Sequence, residues 1–120
     1  MEFPGSHNKP VLLVVFYRTS TGNEPVREWL KSLKREDRKS IGDDILTAQL
    51  GWPLGMPLIR KLEPDLWEVR SHVSQGIARV IFTVETQTMV LLNGFIKKSR
   101  RTPLGELNTA RQRLAHLREE

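Results

Sequence analysis

Apolar positions recur along the chain in two rhythms. Val11–Tyr17 (VLLVVFY) is an unbroken β-branched and aromatic run between polar residues, which predicts a buried strand. Residues 19–23 (TSTGN) follow as a loop, with Asn23 suited to a helix N-cap and Pro25 to a first turn. The period then changes. Val26, Trp29, Leu30 and Leu33 fall at i, i+3, i+4 and i+7, one face of a helix whose intervening positions are largely charged. A second helix is predicted over Glu36–Leu50, with Ile41, Ile45 and Ala48 on one face. Lys34–Asp37 turns the chain between the two, making a helical hairpin. Gly51–Pro57 (GWPLGMP) holds two glycines and two prolines and reads as a connecting loop.

Beyond it the period is that of strands. Leu66–His72 alternates, with Trp67 and Val69 toward the core and Glu68 and Arg70 outward. Ser74-Gln75-Gly76 is a turn, Ile77–Val84 a strand, Glu85–Gln87 a turn, and Met89–Ile96 another strand. Three strands with short connections make an antiparallel meander. In Ile77–Val84, Ala78, Val80 and Phe82 share the core side, so Arg79 is expected on an open sheet face with Ile81 and Thr83. Lys97–Thr102 is a basic loop. Thr102 is expected to cap a last helix, with Pro103 at its first position and Leu107, Ala110, Leu114 and Leu117 as its apolar stripe. The first strand has no neighbour in sequence and must pair with the meander at a distance. The expected fold is α+β: about four mostly antiparallel strands, an N-terminal helical hairpin and a C-terminal helix, with the helices on one face.

At 120 residues the chain is one domain's worth. Residues 1–9 read as a flexible leader, with Gly5-Ser6-His7 resembling a cloning scar, and residues 10–120 as the single domain. There are no cysteines, so disulfides and thiolate metal sites are excluded and a reducing, cytoplasmic setting is expected. His7, His72 and His116 lie far apart without ligand spacing, so no metal or other cofactor is expected. The longest apolar run, Val11–Phe16, is strand-sized, so no membrane partner is expected either. Net charge is +5, and the position of the surplus is informative. Residues 24–44 hold six basic and six acidic side chains, whereas residues 60–101 hold eight basic against four acidic. A local basic surplus of this kind attracts polyanions.

Three stretches carry a resemblance. They are Val26-Arg27-Glu28-Trp29-Leu30 after the first strand; Leu66-Trp67-Glu68-Val69-Arg70 with Gly76-Ile77-Ala78-Arg79-Val80; and Leu91-Leu92-Asn93-Gly94-Phe95-Ile96-Lys97-Lys98 followed by Thr102-Pro103 and a helix. In this order and spacing, over residues 11–118, the chain resembles the RelE/HigB toxin superfamily, in particular its HigB-like, phage-derived branch. The resemblance implies an endoribonuclease toxin that cuts messenger RNA on the ribosome and is held inactive by a cognate antitoxin, HigA-like with a helix-turn-helix domain.

Metal-free RNA cleavage uses the 2′-OH as nucleophile. It needs a proton acceptor, a donor for the leaving 5′-oxygen, and cations around phosphorus. The resemblance puts Arg70, Arg79, Lys97 and Lys98 in the cationic role, with Arg79 the principal stabiliser of the phosphate. Lys61, Arg100 and Arg101 are candidate RNA contacts. Glu68, His72 and Tyr17 are acid–base candidates, though no tyrosine or histidine stands clearly at the C-terminal family position. Trp29, Trp52 and Trp67 read as core or interface residues. Two further readings stay open. One is an RNA-binding module without catalysis. The other is a phage-derived protein that blocks a host enzyme through hydrophobic surface.

Overall fold

The computed structural model describes residues 12–97 and 101–119. Strand β1 (Leu13–Phe16) leads into helices α1 (Pro25–Lys31) and α2 (Arg35–Gly51). Strands β2 (Ile59–Glu63), β3 (Leu66–Val73), β4 (Gly76–Glu85) and β5 (Thr88–Lys97) follow, and α3 (Leu104–Arg118) closes the chain. The sheet order is β1-β5-β4-β3-β2. Strands β2 to β5 form the antiparallel meander, and β1 pairs parallel with β5. The first strand thus finds its distant partner, while the sheet has five strands among the described residues rather than about four. The unforeseen one is β2, an edge strand of sequence IRKLE with a register shift between Lys61 and Glu63.

The helices do not share a face. Val26 of α1 and Ile41, Ile45 and Ala48 of α2 pack with Val69, Ala78, Val80, Phe82 and Leu91 on one side of the sheet. Ala110 and Leu114 of α3 pack with Ile81, Val90, Leu92 and Phe95 on the other. This explains why β4 is buried at both parities. A strand covered on two sides reads as a continuous apolar run rather than an alternation. The cover stops short of β1, whose Leu13 and Val15 remain exposed, so the expectation of a fully buried first strand is corrected to a half-buried edge.

Local chemistry joins these layers. Gly94 of β5 leaves room for the Trp29 ring of α1, which occupies the space where a Cβ would stand. At the start of α2 the buried Asp37 accepts from the Ser74 amide (3.0 Å) and the Ser74 hydroxyl (2.7 Å), binding the helix to the β3–β4 turn. The β4–β5 turn places Thr86 and Gln87 at φ 49° and 60°, the left-handed pair that a two-residue hairpin requires. Neither proposed cap forms as expected. The residue before α1 is Glu24, and the Asn23 amide instead donates to the Thr19 hydroxyl. Pro103 precedes α3, and the Thr102 hydroxyl reaches the sheet.

Candidate nucleic-acid interface

The meander brings four basic residues of the 60–101 stretch, Arg60, Arg70, Arg79 and Lys97, onto neighbouring strands. Arg60 of β2 stands opposite Glu68 of β3, and Arg70 of β3 opposite Arg79 of β4. Opposed residues in an antiparallel pair project to the same side, so Arg60, Glu68, Arg70 and Arg79 share the face on which α3 lies. Arg79 and Glu68 are fully buried, and Arg79 Nη1 donates to Glu68 Oε2 at 3.1 Å. The second carboxylate oxygen, Oε1, accepts from the Thr102 hydroxyl at 3.1 Å. Glu68 therefore holds a guanidinium from the next strand and the segment entering α3 together. Burial pushes the Arg79 guanidinium below its ordinary pKa. Glu68 opposes that shift, and the charges of Arg70 and Arg60 add to it.

This corrects the open-face expectation. The parity assigned to Arg79, Ile81 and Thr83 holds, but all three are buried, because α3 and the chain before it cover that side. Arg79 is a charge clamped inside the protein, with a carboxylate already on it. Arg70 is different. It is half-buried, and its side chain has no hydrogen bond or ion pair with any described residue, its Nε being buried without a partner. Arg70 and His72 from β3 line a pocket of about 370 Å³ with Asp44 of α2, Pro57 and Leu58 before β2, and Ile77 of β4. His72 is exposed. Lys97 ends β5 directly across from Ile77, half-buried beside this row.

The other candidates separate from this cluster. Lys61 lies beside the Trp67 ring at 5.8 Å, on the side of the sheet that carries α1 and α2. Tyr17 is buried at the far end of α3, its hydroxyl 2.6 Å from His116 Nδ1, with the Arg113 guanidinium 5.8 Å from its ring centre. Arg113 also donates to the Leu92 carbonyl at 2.8 Å, and burial pushes it below the ordinary arginine value. Since α3 rises about 1.5 Å per residue, Tyr17 stands roughly the helix's length from Thr102. Arg101 is exposed just before α3; Lys98 and Arg100 lie outside the described residues. The three tryptophans pack against the first core: Trp52 meets Trp67 edge-on at 5.1 Å, and Trp29 covers Gly94. Among the described residues no three His, Asp or Glu side chains converge as metal ligands.

Two groups at the site went unassigned from sequence. Arg60 entered only the charge count, since its strand went unread. Asp44 sits between charged neighbours on an amphipathic helix, and nothing in its local pattern distinguishes it.

Fold and site together define a small α+β protein with a cationic cluster on the strands of an antiparallel meander and an open pocket beside it. Residues 28–115 match the family described as Phage derived protein Gp49-like (DUF891). The chain belongs to that family, one of RelE/toxin-like proteins. No curated protein matches it.

Proposed function

We propose that this protein is the toxin of a type II toxin–antitoxin system, of the HigB-like branch: a metal-independent endoribonuclease that cleaves messenger RNA on the ribosome. The observation that carries the reading is Arg70. Its guanidinium lines a pocket without a hydrogen bond or ion pair to any described residue, next to Arg79, a buried arginine of like charge. Planar guanidinium groups match phosphate oxygens in pairs. A cation that no described carboxylate neutralises favours an anionic ligand.

In the proposed reaction the 2′-oxygen attacks the adjacent phosphorus and the bond to the 5′-oxygen breaks, leaving a 2′,3′-cyclic phosphate. Arg70 stabilises the charge gathering on the phosphoryl oxygens, and Lys97 adds to the positive field. Arg79, fixed by Glu68, shapes that field from within and stiffens the strand beside Arg70. His72 shares the pocket with Arg70, and an imidazole can both accept and donate a proton, so it is the preferred proton carrier. Glu68 already accepts two hydrogen bonds, and Tyr17 lies at the other end of α3. Arg101 extends the cationic surface for RNA, and Lys98 and Arg100 remain candidate contacts from the sequence alone. An antitoxin with acidic segments, HigA-like and bearing a helix-turn-helix domain, would neutralise it. The setting is the bacterial cytoplasm; among the described residues no helix is long and apolar enough to cross a membrane.

The test is induction in bacteria of the wild type, Arg70→Ala, Arg70→Lys and His72→Ala, with growth and RNA 5′ ends followed together. The wild type is expected to arrest growth with new cuts in messenger RNA. Arg70→Ala is expected to lose both by a factor on the order of 10²–10³, the usual effect of removing one transition-state donor. Arrest without cuts overturns the nuclease reading. A second reading, a phage-derived inhibitor of a host enzyme, is favoured by the exposed Leu46, Leu50, Leu54 and Met56 on and after α2. It predicts arrest that survives Arg70→Ala.

A further inference from the structure

The pocket beside the arginine cluster has a composition that phosphate binding does not explain. A site for phosphate alone needs cations and backbone amides. Here a carboxylate, Asp44, lines the same pocket as Arg70, with apolar walls from Pro57, Leu58 and Ile77. The two opposite charges do not close on each other. The Asp44 side chain, like that of Arg70, makes no hydrogen bond or ion pair with any described residue, although both residues are half-buried. The pocket thus presents a guanidinium donor, a carboxylate acceptor and hydrophobic sides. Its volume, about 370 Å³, falls in the range of roughly 300–1,000 Å³ typical of small-ligand sites.

Resting on the RNA-cleaving reading, we propose that this pocket receives a guanine base of single-stranded RNA and sets the sequence preference of cleavage. Unstacked RNA bases are held between apolar or planar side chains and read along their edges. An ionised carboxylate only accepts. Guanine alone among the four bases offers it two adjacent donors, N1–H and the N2 amino group. The same base presents acceptors, O6 and N7, on its other edge, and an arginine is their usual partner. Adenine and cytosine offer a carboxylate one amino group flanked by an acceptor, and uracil offers a single N–H between two carbonyls. Pro57, Leu58 and Ile77 supply the dry walls, and the exposed His72 ring supplies a planar edge at the mouth.

The experiment uses the full chain and 2′-O-methylated trinucleotides UGU, UIU (inosine, lacking the N2 amino group) and UAU, which bind without being cut. Binding is followed by the NMR shifts of the His72 ring, with guanosine monophosphate as a further probe. UGU is expected to bind roughly tenfold tighter than UAU, the discrimination of one bidentate base contact, with UIU between them. Asp44→Asn and Asp44→Ala are expected to remove the preference for UGU over UAU, with thermal unfolding showing both variants folded. Equal binding of the three, or a guanine preference that survives in both variants, overturns the proposal. Guanosine monophosphate binding as tightly as UGU also overturns it, by assigning the pocket to a free nucleotide. Guanine-selective binding without RNA cleavage would sink the nuclease reading alone. Cleavage without guanine preference would sink the pocket alone.

Discussion

With Oε2 engaged by Arg79 and Oε1 by Thr102, Glu68 is a carboxylate occupied on both oxygens and buried with its arginine partner. Such pairs gain little over an apolar replacement of both members, but removing one member strands the other charge. Glu68→Ala is expected to destabilise the protein by roughly 3–5 kcal/mol, read as a lowered denaturant midpoint. Arg79→Ala is exposed to the same loss, so an inactive Arg79 variant alone says little about chemistry. Arg70 is the cleaner probe because no described side chain pairs with it. The sequence placed Arg70, Arg79 and Glu68 on one side of two adjacent strands, and that is how they lie. Their burial was not legible. Parity tells which residues share a side but not what covers it, and the cover arrives from a helix and its leading segment more than twenty residues later.

The long periodic elements read well at the scale of helices and strands. The stripes Val26-Trp29-Leu30-Leu33 and Ile41-Ile45-Ala48 both face the first core, wholly or in part. Strand β2 failed because three of its five residues are charged and a register shift breaks what alternation remains. The side taken by α3 failed because Leu107, Ala110 and Leu114 define a buried stripe without choosing a sheet face. The available signal was β4 itself, which carries Ile77 and Ile81 on the parity opposite Ala78, Val80 and Phe82. The seating of α1 depends on a missing side chain: Trp29 lies where a Cβ on Gly94 would be. Gly94→Ala is expected to push the indole off β5 and cost about 1–3 kcal/mol, the usual range for overpacking. A blue-shifted tryptophan emission unchanged in the variant, with an unchanged melting temperature, would contradict this contact.

Across the whole molecule, α2 is bound to the β3–β4 turn through Asp37, whose carboxyl is held below its ordinary value of 3.8 by the Ser74 hydroxyl first and the Ser74 amide second. The sign follows directly. The unfolded chain protonates this carboxyl at higher pH than the folded one, so its contribution is complete above the ordinary aspartate range. It is then lost as pH falls through the depressed folded value. Acid titration is expected to show a shallower loss of stability below about pH 4 in Asp37→Asn than in the wild type. Identical acid limbs would remove Asp37 from this role. The sheet also joins the chain's first strand to its last, side by side and parallel. During synthesis, then, β1 emerges long before β5, its partner among the described strands, exists. No local hairpin can shelter its apolar run, because a parallel neighbour must come from far along the chain. Completion of the sheet waits for β5, so the strand that carries Arg79 is flanked on both sides only after β5 has followed it out.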